Sequence, residues 1–296
     1  MSLSVVLVTY RRPEYLPSTI ESILSQTYSD FELIISDDAS NDQTLDVANE
    51  YARIDKRVRV RSNATNLGMP GNLNAALKEC SRDLVVNCHD ADIYASDLFK
   101  EWTKLMLEDD QIGFSCCNWH QLDESWTVPI EAHDAQLTLP RIMDGPMFLL
   151  DRYFTWSNVY FGSWVWGTAI ARRKVYEELG FFDPQFGFYA DVDMWMRIAL
   201  KYKVGVLRGI RILCPPKIKV PNLFNRSNAH RLVRRIFWKN RFALASAGYA
   251  SLTEQILMHA VHASTQEVRY TLGAMRRLVK KGISQLNSQN VYMHRW

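Results

Sequence analysis

Apolar and polar positions alternate in blocks along the first ninety residues, and the blocks change period. Ser4-Val5-Val6-Leu7-Val8 is a short continuous apolar run, as in a strand covered on both faces. Pro13-Glu14 suits a helix start, and Leu16, Ile20, Ile23 and Leu24 follow at helical spacing. Residues 31–35 read as a second strand. Ser40-Asn41-Asp42-Gln43 has the form of a capping box, with Leu45, Val47, Tyr51 and Ile54 on helical faces behind it. Residues 58–60 make a short third strand, 70–79 a helix and 84–88 a fourth strand. Strands alternating with helices predict an α/β chain with a mostly parallel sheet and crossover helices.

The pattern then loosens. A helix is expected over 97–107, and seven aromatic residues crowd between Tyr153 and Trp166. Residues 174–179 read as a short helix closed by Gly180, and 191–200 as another. Cys214-Pro215-Pro216 and Pro221 punctuate the chain, and only helices are expected beyond them. Ser251-Leu252-Thr253-Glu254 and Ser264-Thr265-Gln266-Glu267 are two more capping boxes. The expected division is a catalytic domain over 1–227 and a helical region over 228–296.

Charge sharpens that division. The chain of 296 residues has a formal charge of only +3, but residues 228–296 hold 11 Lys and Arg against 2 Asp and Glu, while the rest holds 24 against 30. An acidic body with a basic tail points to an anionic surface as partner. Five cysteines without CxxC spacing suggest neither a disulfide framework nor a zinc site, and favour a reducing cytoplasm. The apolar start lacks a basic n-region, and the longest uncharged stretch, 154–171, is too polar and short for a membrane span. A cytoplasmic protein, peripheral at most on the inner membrane face, is expected.

Four polar clusters stand where apolar segments end: Thr9-Tyr10-Arg11-Arg12, Asp37-Asp38, His89-Asp90-Ala91-Asp92 and Asp191-Val192-Asp193. Alternate carboxylates such as Asp90 and Asp92 can reach one Mg²⁺ or Mn²⁺, which prefers hard oxygen ligands and completes its shell with substrate phosphates. Taken singly, each cluster equally suits turn or helix-cap chemistry. Their order is more specific. The opening strand with Thr-Tyr-Arg-Arg-Pro, Ser36-Asp37-Asp38-Ala39-Ser40-Asn41-Asp42, Asn66-Leu67-Gly68 with Asn74, and His89-Asp90-Ala91-Asp92 fall in one sequence. Gly180-Phe181-Phe182-Asp183-Pro184 and Asp191-Val192-Asp193-Met194-Trp195 complete it. Over roughly residues 3 to 230 the chain resembles the family-2 inverting glycosyltransferases of non-processive bacterial type, which have the GT-A fold.

The resemblance implies a metal-dependent enzyme that moves one sugar from a nucleotide diphosphate, UDP favoured, to a glycan or lipid-linked saccharide acceptor in surface polysaccharide or glycoconjugate synthesis. It places Thr9, Tyr10, Arg12, Asp38, Asn66 and Asp90 at the nucleotide and Asp92 with Asp90 on Mn²⁺ or Mg²⁺. His230 is a further candidate ligand. Asp191 becomes the general base, and Asp193 holds the acceptor or the structure. Apart from the resemblance, half of the aromatic cluster reads as core, and Trp164 and Trp166 are its candidates for stacking on the acceptor sugar.

Two departures matter. Leu73 stands where the family has Arg, so a cation is missing or comes from Arg11, Arg12 or Arg226; Ala190 stands where it has Glu. A catalytically inactive nucleotide- or glycan-binding scaffold therefore stays open, as does a sugar-nucleotide pyrophosphorylase, although no Gly-rich triphosphate loop is present. The absence of GxGxxG after the first strand argues against a dinucleotide oxidoreductase. In the tail, Arg231, Arg234, Arg235, Lys239 and Arg241 interleave with Leu232, Val233, Ile236 and Phe237. Such helices can pack on the catalytic domain, join a second subunit in a homodimer or lie on an anionic bilayer. No nucleic-acid recognition module accompanies the charge.

Overall fold

A computed structural model describes residues 2–122, 139–150, 165, 167–214, 226–251 and 254, without the side chains of 121 and 226–230. Its centre is β1 (Leu3–Thr9), buried at every residue. Leu3, Val5 and Leu7 face one core while Val6 and Val8 face the other, which is why this strand has no polar side. β1 pairs in parallel with β2 (Phe31–Asp37) on one side and β4 (Leu84–His89) on the other, and β2 pairs in parallel with β3 (Val58–Ser62). The chain leaves β1 in one direction for β2 and returns to the other flank for β4. That reversal is a topological switch point, and ligands in open α/β sheets bind beyond the strand ends there.

The sheet continues through antiparallel β8 (Ala169–Arg172) to β6 (Ile112–Gln121) and β9 (Lys203–Cys214), with the short β5 (Ile93–Tyr94) and β7 (Ile142–Met143) both on β9. Helices α1 (Leu16–Leu24) and α4 (Leu98–Glu108) cover the face that holds Leu3, Val5 and Leu7, burying Leu16, Ile20, Ile23, Phe99 and Trp102. Helices α3 (Gly68–Leu77), α6 (Arg173–Leu179) and α7 (Ala190–Ala199) cover the other through Leu73, Ala76, Tyr176 and Trp195. Helix α2 (Thr44–Ile54) flanks β3, and α5 (Gly145–Phe148) is a single turn.

Several expected boundaries move. The first helix begins at Leu16, with Pro17 in its first turn, not at Pro13. The box over Ser40–Gln43 does not cap α2. Ala39 takes a left-handed conformation (φ 59°), and Ser40 Oγ accepts from Arg11 N at 2.9 Å, while Asp42 Oδ1 accepts from Thr44 N at 2.9 Å. Gly180 closes α6 at φ 83°, and Ser251 and Glu254 form the reciprocal pair of a capping box.

Helix α8 (Arg226–Ser246), which opens the basic region, packs on α7 and on the 3-10 segment Pro184–Tyr189, with Ile236 and Leu244 in the shared core. The aromatic cluster over 153–164 with Trp166, and the tail past 254, lie outside the described residues. All five cysteines are buried and none is in a disulfide. No helix among the described residues is long and apolar enough to cross a membrane.

Candidate active site

Register gathers the first three clusters. Thr9 lies opposite Asp37 and Val8 opposite His89, so the residues that follow β1, β2 and β4 emerge together. The loops are then tied to one another. Asp38 N donates to Thr9 O at 3.0 Å, and Tyr10 N donates to Asp90 Oδ2 at 3.2 Å. Arg11 has a left-handed backbone (φ 53°), its guanidinium lies 5.0 Å from the Tyr10 ring centre, and Arg12 N donates to Thr44 Oγ1 at 3.0 Å. Tyr10 is left exposed at the rim.

Asp38 is buried, and its Oδ1 accepts from Leu67 N and Asn63 Nδ2, each at 2.8 Å. Asn63 is in turn held by Asn72 Oδ1 at 2.9 Å and by Arg61, which donates to its Oδ1 at 2.9 Å. The carboxylate is thus fixed in orientation by neutral donors, with Oδ2 not engaged by any described residue. Asp37 serves the turn itself, taking Ser40 N and Ser62 Oγ at 3.0 Å each. Asn66 is exposed and its Oδ1 accepts from Gly68 N at 3.0 Å. It shapes the turn whose next amide holds Asp38.

The turn after β4 carries the paired carboxylates. Burial pushes the Asp90 carboxyl up from its usual range, opposed by the Thr9 hydroxyl, the Tyr10 amide and the nearby Arg12 charge. Asp92 is 3% exposed, and its charge lies close enough to Tyr94 and Cys214 to help raise both of their pKa values beyond what burial does. Burial pushes His89 down to about 4, so it is neutral there. Its Nε2 would lie 2.3 Å from a Cβ added to Gly167, a close approach that only glycine permits. Tyr94 hydroxyl closes the turn, accepting from His89 N at 2.9 Å and donating to His89 O at 3.2 Å, while Thr19 Oγ1 donates to Asp92 O at 2.9 Å.

The donor set suits a divalent cation: two hard carboxylates two residues apart, both largely desolvated, beside a neutral imidazole. Among the described residues no cluster of three His, Cys, Asp or Glu could hold a metal unaided, so phosphate oxygens would have to complete the shell.

On the opposite flank, Asn74 exchanges two hydrogen bonds with the Phe182 backbone (2.7 and 3.0 Å) and docks the segment that leads into α7 on α3. Asp191 stands in the first turn of α7, half-buried. Burial raises its pKa to about 7, and its partner among the described residues is the Val192 amide at 2.7 Å. The helix N-terminus favours the charged form, and no cation among the described residues pairs with it.

Asp193, expected at the acceptor, requires a correction. It is fully buried, with Oδ2 taking Arg197 Nε at 2.7 Å and Oδ1 taking Lys239 Nζ at 2.8 Å. A period of 3.6 turns it away from Asp191 and into the α7–α8 contact. Leu73 and Ala190 are both core residues, so packing on the sheet occupies the places where the family has Arg and Glu. Trp164, Trp166 and the side chains of Arg226 and His230 lie outside the described residues.

Asn63, Tyr94 and Thr19 were not legible as site residues, because each acts through a partner distant in the chain. Phe188, 64% exposed just before α7 and stacked edge-on with Tyr189, had a signal in the Phe186-Gly187-Phe188-Tyr189 run.

The family model for "Glycosyl transferase family 2" matches residues 4–180, more than half of the chain. The chain belongs to that family. Among relatives of this family-2 member, an uncharacterized Haemophilus influenzae glycosyltransferase is 39% identical over 75 residues, 25% of this chain and 23% of its own. Bacillus subtilis YwdF, also uncharacterized, is 27% identical over 69% of this chain and 70% of its own. Escherichia coli WfgD, a UDP-Glc:α-D-GlcNAc-diphosphoundecaprenol β-1,3-glucosyltransferase, is 27% identical over 43% and 49%. Two of these three matches therefore span less than half of the relative's length.

Among solved structures, Staphylococcus aureus TarS residues 1–349 in complex with UDP-GlcNAc superposes with a TM-score of 0.61 at 18% identity, covering 83% of this chain and 71% of that one. The mannosyltransferase PcManGT from Pyrobaculum calidifontis, in complex with GDP-Man and Mn²⁺, gives 0.54 at 17%, covering 89% and 80%. At those identities the likeness establishes the fold, which is GT-A.

Proposed function

We propose that this family-2 chain transfers a single sugar from a nucleotide-diphosphate donor, a UDP-sugar by preference, to an acceptor hydroxyl with inversion at the anomeric carbon. On the donor side the base would lie against Tyr10 and Asp38, whose unengaged oxygen can accept from a pyrimidine N–H, with the ribose at Asp90 and Arg12 facing the diphosphate. Asp92 with Asp90 would hold Mn²⁺ or Mg²⁺, which when bound neutralises charge on the departing diphosphate. The Mn²⁺ in PcManGT and the uridine nucleotides named for TarS and WfgD support these choices.

The observation that carries the catalytic half is Asp191. A carboxylate with a pKa near 7 and no cationic partner among the described residues is poised to take a proton at neutral pH. The acceptor hydroxyl would give its proton to Asp191 as its oxygen attacks from the side opposite the diphosphate. Phe188 offers an apolar face for the acceptor sugar. WfgD acts on a lipid diphosphate-linked saccharide, and an acceptor of that class, in glycan synthesis, is the reading we favour.

The test is transfer with the full chain and Asp191→Asn. Product of inverted anomeric configuration, formed at least about 10²-fold more slowly by the variant with unchanged donor affinity, is expected. A retained configuration, or an unaffected variant, would refute the assignment.

A further inference from the structure

Helix α8 buries one face and leaves a stripe of aromatic and cationic side chains on the other. Its inner face places Ile236, Asn240 and Leu244 in the body of the protein. At 100° per residue, Arg231, Arg234, Arg235, Trp238 and Phe242 fall in a single stripe on the opposite side, and all five are exposed. Trp238 is 39% and Phe242 54% exposed, with ring centres 6.0 Å apart, and Tyr249 just beyond the helix is 50% exposed. The Trp238 ring also covers the buried Arg241 guanidinium at 5.8 Å, but its outer part and the Phe242 ring face outward together.

Charge says what they serve. Residues 226–246 contain six Lys and Arg and no carboxylate. Lys239 is paired with Asp193, Arg235 also donates to Gln185 and Arg241 is buried, so Arg231, Arg234 and Arg235 are the cations that this stripe exposes, and no carboxylate lies in the helix. We propose that this stripe docks the protein on an anionic lipid bilayer, with Trp238, Phe242 and Tyr249 in the headgroup boundary and the arginines against lipid phosphates.

The other covers fit poorly. Residues 252–296 are themselves basic, with six Lys and Arg against two Glu, and a second copy would bring an identical cationic stripe. The placement also has a functional consequence, which rests on the transferase reading whereas the docking does not. Arg235 binds Gln185 at 2.8 Å, and Lys239 Nζ lies 5.1 Å from the Phe186 ring centre. Both contacts are on the segment that leads into Asp191. A docked α8 would therefore hold the acceptor side near the surface from which a lipid-linked saccharide projects.

The test is co-sedimentation of the full chain with vesicles of phosphatidylcholine alone or with about one-third phosphatidylglycerol. Binding to the anionic vesicles only, weakening with salt, is expected. Trp238→Ala/Phe242→Ala and, separately, Arg231→Gln/Arg234→Gln should each lower the partition coefficient about tenfold or more, while circular dichroism stays native.

Equal binding to neutral vesicles, no binding to either, or unchanged binding by the aromatic variant would overturn the proposal. So would a wild-type dimer that the aromatic variant dissolves in light scattering without any vesicle effect.

Discussion

Asp191 is a carboxylate made basic by burial, and no described cation reverses the shift. Its pKa of about 7 sets the expected pH dependence: kcat/KM should rise with pH through about 7 and level off, and Asp191→Asn should flatten that limb. The same shift has a stability sign. The folded state keeps a proton between about pH 4 and 7 that the unfolded chain has released, so this group's contribution to stability falls as pH rises through that window. Asp191→Asn should therefore be more stable than wild type at about pH 8, by about 1 kcal/mol or more, and nearly equal at about pH 4, as urea unfolding can check. A second residue is strained without being catalytic. Ala39 sits at φ 59°, a left-handed conformation that glycine adopts without steric cost, and Ala39→Gly should raise stability by about 0.5–1 kcal/mol. No gain in thermal or urea unfolding would mean that the turn is relaxed by its contacts.

At the scale of elements, the contact between α7 and α8 turns on one buried charge. Asp193 holds Arg197 of its own helix and Lys239 of α8, and Arg197 also donates to the carbonyls of Leu179 and Phe181, tying the α6 turn to the same point. Removing the carboxylate leaves Arg197 largely buried without its anion, so Asp193→Ala should cost about 3 kcal/mol. Lys239 is 45% exposed, and Lys239→Met should cost about 1 kcal/mol or less. Equal losses in urea unfolding would contradict that ordering.

This part of the molecule was the least legible. In the sequence Asp193 stands only two residues from Asp191; helical period turns the two apart, and only the packing of α8 shows that the Asp193 side is buried. β6 and β9 were unreadable for a different reason: their register shifts near Phe114, Cys117 and Asn118 interrupt the alternation that marks a strand. β1, β2 and β4 were legible because burial on both faces leaves a continuous apolar run that little else produces.

The whole molecule is a sheet whose strand order reverses beside β1, and that reversal turns separate motifs into a site. Tyr10, Asp38 and Asp90 are 28 to 80 residues apart in sequence, yet parallel register and three loop hydrogen bonds bring their loops together. What motif order could not supply is the support behind them, the Asn63–Asn72–Arg61 group under Asp38 and Tyr94 under the paired carboxylates.

The most direct test of a metal-assisted nucleotide site at this switch point is calorimetric titration of the full chain with UDP and GDP, with and without Mn²⁺, beside Asp38→Ala and Asp92→Ala. Binding of UDP that requires Mn²⁺, exceeds that of GDP and disappears in both variants while their circular dichroism stays native is the predicted result. Absence of binding to either nucleotide, or equal affinity in wild type and the two variants, would contradict it.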